Sequence, residues 1–413
     1  MDYSKESLRI HGEKSVLRVL PNVSLKSRSD LSTNYTPGIA AVSKKIAEDK
    51  SEVFRYTSKR NSVAVVTDGS AVLGLGNIGP EAALPVMEGK AILFSKFAGI
   101  DAIPICLDTQ NSEEIIKTVK NIAPTFGGIN LEDISAPRCF EIEAALQDIG
   151  IPVMHDDQHG TAVVVLAGLI NALKVVGKSI ENVKIVVSGA GAAGTAVAKI
   201  IQLYSKEKVR MIVMDSKGAL CHLREDMDWN KTELQKITKN MACGHLENMI
   251  IGADVFIGVS APKILTKQMV ASMAEKPIIF ALANPIPEID YIEAKEAGAT
   301  VVATGRSDWP NQINNVLAFP GIFRGALNAG ATRITENMLL AAANALASHV
   351  ERPNASRIIP SALDDINMCL VASAVMSAAK KDGVDIIKKK RVCPPVQAGQ
   401  FKRCKLANCP LNS

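Results

Sequence analysis

Two pairs of adjacent acids invite a chemical reading. Glu132 and Asp133 close the apolar run GGINL, and Asp156 and Asp157 close IPVMH, 24 residues later. In an open α/β sheet, ligands bind beyond the carboxyl ends of the strands. Two neighbouring strands could therefore bring these acids into one pocket. Three carboxylate oxygens, completed by water and substrate oxygens, suit octahedral Mg²⁺ or Mn²⁺. Spacing alone leaves solvated loop acids the simpler reading. His155 and His159 stand four apart, as a helical zinc pair would. Pro152 and the β-branched run before them argue for strand then loop, and no H-E-x-x-H pattern is present, so core or helix-capping roles fit both better.

A second cluster carries its own chemistry. The β-branched run VKIVVS leads directly into Gly189-Ala190-Gly191-Ala192-Ala193-Gly194, and helical spacing follows. This G-x-G-x-x-G stands where a dinucleotide turn requires it. The first glycine makes the tight turn, the second admits the pyrophosphate, and the third lets helix and strand approach. The helix N-terminus then offers free N–H groups to phosphate. The next strand, VRMIVMD, ends at Asp215, an acceptor for ribose hydroxyls. Ser216 and Lys217 follow, and a lysine there could receive a 2′-phosphate, so NAD and NADP both stay open.

These residues need elements to hold them. SVAVVT, DAIPIC, GGINL and IPVMH alternate with helical segments, which predicts a parallel sheet with helices around it. Thr161–Val176 reads as a long apolar helix. It is too short and too often interrupted, at Asn171 and Lys174, for a membrane span. GADVFIGVS and PIIFALANPIPE read as further strands of the dinucleotide sheet. The expected organisation is an N-terminal α/β substrate and metal domain over 1–160 and a Rossmann-type doubly wound NAD(P)-binding domain over 161–350. C-terminal helices over 351–387 pack back on the body, and a basic, disordered tail covers 388–413.

With 413 residues, 47% hydrophobic and 22% charged, the composition is that of a globular chain of more than one domain. The net charge of +5 is concentrated in the tail, which holds seven Lys/Arg and no acid. The body is then near −2, which excludes a nucleic-acid surface. The eight cysteines form no C-x-x-C pair. Buried free thiols are expected for those in the body, and the tail spacing matches no zinc pattern. MDYSKESLRIHGEKS has no apolar run of a signal peptide, so a cytoplasmic protein with no membrane partner is expected.

LSTNYTPGIA, VTDGSAVLGLGNIGPEAALPVMEGKAILFSKFAGIDA, INLEDISAPRCFEIE, MHDDQHGTA, FALANPIPE and GRSDWPNQINNVLAFPGIFRGAL together resemble the malic enzymes, in their short, prokaryotic-type branch, from about residue 10 to 385. The resemblance implies oxidative decarboxylation of (S)-malate to pyruvate and CO₂ with NAD⁺ or NADP⁺ and Mg²⁺ or Mn²⁺, by a homo-oligomer, expected to be a dimer. It implies Glu132, Asp133 and Asp157 as metal ligands. Lys90 is then the base, helped by Asp156, and Tyr35 the acid, with Asn284 and Asn315 on the substrate. A lysine base implies that burial and the cation lower its pKa. Long-type members carry a carboxylate-clamping arginine where this chain reads Ser70-Ala71-Val72. Backbone N–H groups around Gly74–Gly76, or a basic residue from another subunit, are the candidate replacements. Two other classes remain open: a metal-dependent oxaloacetate decarboxylase and a non-catalytic dinucleotide-binding regulator.

Overall fold

The computed structural model of the chain describes residues 3–385, apart from residue 365 and the side chain of Leu73; the expected tail over 388–413 lies outside the described residues. Four short β-branched runs make the first sheet: β1 (Ser62–Thr67), β2 (Asp101–Cys106), β3 (Gly128–Leu131) and β4 (Val153–His155). They pair in the order β2-β1-β3-β4, all parallel. Register determines what emerges at the end. Val66 stands opposite Leu131, and Leu131 opposite His155. Glu132-Asp133 and Asp156-Asp157 therefore leave the sheet side by side.

The second sheet comprises β5 (Lys184–Ser188), β6 (Arg210–Asp215), β7 (Gly218–Ala219), β8 (Val255–Gly258), β9 (Ile278–Ala281) and β10 (Val301–Thr304). Their order is β10-β9-β8-β5-β6-β7, with only β6–β7 antiparallel. The strand order winds outward in opposite directions from β5, to β6 on one side and β8 on the other, which creates a crevice at its carboxyl end, where Gly189 lies. This is the doubly wound α/β architecture expected from the sequence.

The helix Asp156–Val176 joins the two sheets, starting at the acids and running through the main core with Val63 and Val65 of β1 and Ile185 and Val187 of β5. By length and composition it could cross a bilayer, but 78% of its apolar window is buried in the protein. Asn171 explains the break in its apolar run. Fully buried, it donates from Nδ2 to the carbonyls of Ala347 and Ile358, each at 2.9 Å. It thereby ties this helix to the helix Glu336–His349 and to the segment after it. At the C-terminal end, Gly321 and Gly325 let the helix Phe319–Ala329 approach the helix Ile366–Lys381. A Cβ on either glycine would lie 2.7–2.8 Å from Val375 or Val371.

The cysteines differ from expectation. Cys221 and Cys243 form a disulfide, whereas Cys106, Cys139 and Cys369 are free. The pairing spans 22 residues. The two segments lie side by side where Ala219 N of β7 donates to the Gly244 carbonyl at 2.9 Å. The N-terminal helices Tyr3–Glu13, Arg28–Asn34 and Ile39–Glu48 bury none of their residues. Apolar side chains along them and their connections, such as Val19 at 85%, stand exposed.

Replacing Asn171 with Leu keeps the volume but strands the buried Ile358 carbonyl, whereas the Ala347 carbonyl keeps the Val350 N–H at 3.3 Å. The expected loss is about 1–3 kcal/mol, the cost of one unsatisfied buried group. Urea denaturation of the variant against the parent measures it; a loss under about 0.5 kcal/mol would contradict the bridging role.

Candidate active site

The two acid pairs meet as the register requires. One oxygen from each of Glu132, Asp133 and Asp157 lies within 4.8 Å of the others. Asp133 adopts a left-handed backbone, φ 54°, which an aspartate tolerates better than most residues. In that conformation its N–H donates to Asp157 Oδ2 at 2.8 Å, and its carbonyl accepts from Ala71 N at 2.9 Å. Glu132 and Asp133 are buried and Asp157 is half-buried. Glu132 also accepts from Asn130 Nδ2 at 2.8 Å. An oxygen-only donor set of this kind fits a hard divalent cation.

Asp156 and Asp157 are not loop residues after a strand. They form the first turn of the helix, which begins five residues before the expected Thr161. The positive end of the helix dipole favours carboxylates there. Gly160 makes room for one of them: a Cβ at that position would fall 1.8 Å from Asp156 Oδ1.

Lys90 reaches this cluster from the helix Pro80–Ala98. Its Nζ lies 2.9 Å from Glu132 Oε1 and 2.5 Å from Asp156 Oδ2, and 4.5 Å from the centre of the Phe319 ring. Burial works against its charge, but Asp156, Glu132 and Asp157 outweigh burial and hold the ammonium above the ordinary lysine range. The lowering that a lysine base implies thus does not come from burial in the protein alone, where these three carboxylates outweigh it. Burial pushes the Asp156 carboxyl up to about 6 against the pull of Lys90. Burial raises Glu132 and Asp157 as well. Asp156 Oδ1 is buried without a hydrogen-bond partner among the described residues.

A residue the sequence reading passed over braces this turn. Glu143, buried on the helix Arg138–Ala145, accepts from His155 N at 2.9 Å and Gln158 Nε2 at 3.1 Å, and its carboxylate lies 3.0 Å from His159 Nε2. His155 and His159 are thus scaffold, not a zinc pair. Arg138 was also unforeseen. Its guanidinium donates to Asp68 Oδ2 (2.8 Å), the Gln110 carbonyl (2.6 Å), Ser70 Oγ (2.9 Å) and Ser135 Oγ (3.1 Å). It braces the loops around Ser70. Of the candidate backbone donors nearby, the Leu75 N–H is taken by the Val72 carbonyl.

The remaining expected substrate contacts divide. Asn315 flanks the acid turn, since a Gly160 Cβ would lie 3.2 Å from its Cβ. The Asn284 carbonyl lies against Gly74, and its side chain packs on Gly305. Tyr35 is elsewhere: it ends the helix Arg28–Asn34, 67% exposed, and makes no side-chain hydrogen bond to Lys90 or the acids among the described residues.

A cleft of about 870 Å³ opens at the crevice of the second sheet. Gly189, Ala190, Gly191, Asp215 and Ser216 line it, and Ala136, Pro137 and Phe140 close it from the side that carries the acids. Gly189, φ 123°, makes the turn. A Cβ on Gly194 would fall 1.8 Å from the Gly189 carbonyl, whereas one on Gly191 would meet nothing within 4 Å. Space for a pyrophosphate is therefore left at the middle glycine. Ala192, Ala193 and Gly194 form the first turn of the helix Ala192–Tyr204. Lys217 Nζ turns to Asp226 Oδ2 at 2.7 Å. Asp228, Lys231 and His245 also line the cleft; they come from distant segments and carry no local motif.

Comparison with known proteins places both halves. The chain matches the family model "Malic enzyme, N-terminal domain" over residues 14–147 and "Malic enzyme, NAD binding domain" over residues 158–380. It is similar to the bifunctional malic/malolactic enzyme of Bacillus subtilis, 54% identical over 391 residues, covering 93% of this chain and 95% of the relative. It is also similar to the NAD-dependent malic enzyme of Geobacillus stearothermophilus, 56% identical over 368 residues, covering 88% and 76%. Among solved structures, the NAD-dependent malic enzyme of Thermotoga maritima superposes with a TM-score of 0.86 at 50% identity, covering 90% of this chain and 98% of that one.

The brace has a pH signature. Burial works to lower His159, and Glu143 outweighs it, so the folded value lies above 6.5. A raised histidine contributes stability that is full below its unfolded value and is lost as pH rises through the folded one. The parent should therefore lose stability relative to His159→Gln as pH rises from about 6.5. Parallel denaturation curves at several pH values test this; a pH-independent difference would contradict the pairing.

Proposed function

The chain belongs to the malic enzyme family, and from that premise we propose that it oxidatively decarboxylates (S)-malate to pyruvate and CO₂, reducing NAD⁺ or NADP⁺, with Glu132, Asp133 and Asp157 holding Mg²⁺ or Mn²⁺. The observation that carries the reading is the Lys90 ammonium in contact with Asp156 and Glu132, beside three converging carboxylates and next to the dinucleotide cleft. A cation held by Glu132, Asp133 and Asp157 would supply Lewis-acid polarisation of the C2 oxygen, and a dinucleotide held along Gly189–Gly191 would supply the hydride acceptor.

The chain's residues do the rest. Lys90 and Asp156 share one short hydrogen bond and act as a unit. Asp156, with its carboxyl near about 6 and Oδ1 unpaired, is the half able to accept a proton at neutral pH, and Lys90 presents the donor to the C2 oxygen. The C2 hydroxyl gives its proton to this pair, C2 becomes a ketone, and CO₂ leaves from C3. Asn315 and Asn284 orient the substrate carboxylates. Tyr35 donates the proton that C3 then needs.

In this reading Tyr35 does so from another copy of the chain. Its exposure, and the exposed apolar side chains of the arm that carries it, favour a dimer in which the arm covers the partner's site. In that arrangement each site holds Lys90 of one subunit and Tyr35 of the other.

Two measurements test the reading. Malate-dependent formation of reduced dinucleotide should require added Mn²⁺ or Mg²⁺. Asp157→Ala should abolish it while dinucleotide binding stays, and Lys90→Ala should lower it on the order of 10²–10⁴-fold. Decarboxylation of oxaloacetate without any malate oxidation would favour the lyase alternative, and neither activity would favour the regulator. Second, mixing inactive Lys90→Ala with Tyr35→Phe subunits should restore about a quarter of parental activity, because half the dimers carry one intact site. No recovery after subunit exchange would place Tyr35 in its own subunit's site or outside catalysis.

A further inference from the structure

The adenosine end of the cleft is more elaborate than a ribose acceptor needs. Asp215, the last residue of β6, has its carboxylate covered by four donors. Oδ1 accepts from Arg224 Nη1 at 2.7 Å and from the Lys217 backbone N–H at 2.9 Å. Oδ2 accepts from Arg224 Nη2 at 3.1 Å and from Lys231 Nζ at 3.1 Å. A carboxylate has about four acceptor positions, so none is spare.

Arg224 does not depend on Asp215 for its orientation. Asp226 holds it separately, accepting from Nε at 2.8 Å and from Nη2 at 3.0 Å. Lys217 Nζ is also on Asp226. Lys231 has a second anion in reach, Asp228 Oδ2 at 3.8 Å. Lys217, Arg224 and Lys231 are thus balanced by Asp215, Asp226 and Asp228. A neutral ribose diol can enter by displacing Lys231 Nζ toward Asp228. A 2′-phosphate would bring about −2 charges to Asp215 with no unmatched cation to receive them.

We propose that this chain selects NAD⁺ through Asp215, and that Arg224 and Lys231 form a preassembled 2′-phosphate site which Asp215 occupies and which one substitution opens. The proposal rests on reading the cleft as the dinucleotide site. Removing the Asp215 carboxylate leaves Arg224 aimed by Asp226, with Nη1 keeping only its 3.4 Å bond to the Gly218 carbonyl, and leaves Lys231 one anion fewer. The vacated volume, flanked by two cations, then matches a phosphate in charge and position.

Fluorescence titration with NADH and NADPH, without malate, isolates binding from turnover. The parent should bind NADH at least about tenfold more tightly than NADPH. Asp215→Ser should reverse that order by about tenfold or more, and Asp215→Ser with Arg224→Ala should lose the gained NADPH affinity. Asp215→Asn, nearly isosteric, guards against a folding defect and should shift the ratio the same way. A parent indifferent to the 2′-phosphate, an Asp215→Ser that weakens both nucleotides alike, or a gain that survives loss of Arg224 would each overturn the proposal. A parent that binds neither nucleotide overturns the dinucleotide reading itself. Intact binding without malate oxidation touches only the reaction.

Discussion

One ammonium faces four carboxylates in the interior of this protein. Lys90 contacts Asp156 and Glu132 directly, and Asp133 and Asp157 lie beside them. Gathering like charges out of water is costly, and a single lysine cannot offset it. The protein reduces the cost with what surrounds the cluster. The N-terminus of the helix Asp156–Val176 faces two of the acids, and the N–H of Asp133 and the amide of Asn130 satisfy individual oxygens. What is left is a site short of positive charge, the electrostatic condition for binding a divalent cation.

That requirement propagates through the fold. The acids converge only because β1, β3 and β4 are parallel and in the register that aligns Val66, Leu131 and His155. Glu143 then holds the turn that follows β4, and Gly160 keeps it clear of its own helix. The same helix runs on into the core shared with β5, the strand that leads to Gly189. Hydride transfer needs donor carbon and acceptor ring held at near contact. A single buried helix packed against both sheets is a stiff way to fix the distance between the acid cluster and the dinucleotide cleft. Asn171 pins that helix to the C-terminal helices, so the linkage extends to the far side of the molecule.

Much of this was legible in the residues. The strands announced themselves as short β-branched runs, and Gly189, Gly191 and Gly194 stood in the one context where their spacing is informative. The acid cluster was visible as paired carboxylates at strand ends. The early start of the helix was not, because Asp156 to Gly160 offer no apolar residue for a 3.6 period to register; two acids in a first turn were the available signal. Glu143, Arg138, Arg224 and Lys231 were missed for a different reason. Each acts across a fold contact that no local pattern encodes, whereas Lys217 drew attention by adjacency and turned out to serve Asp226. The Cys221–Cys243 pair depends on a two-residue strand too short to read. The resemblance implies a lysine base but carries no information on the Asp156 and Glu132 contacts that hold Lys90 charged in the protein alone.

Anomalous diffraction from crystals soaked in Mn²⁺ tests the central claim most directly, since it asks where the protein itself puts a divalent cation. The account predicts a peak between Glu132, Asp133 and Asp157, with carboxylate oxygens of all three at about 2.0–2.3 Å. A cluster that stays empty at saturating Mn²⁺, or a peak found only among Asp215, Asp226 and Asp228, would contradict it.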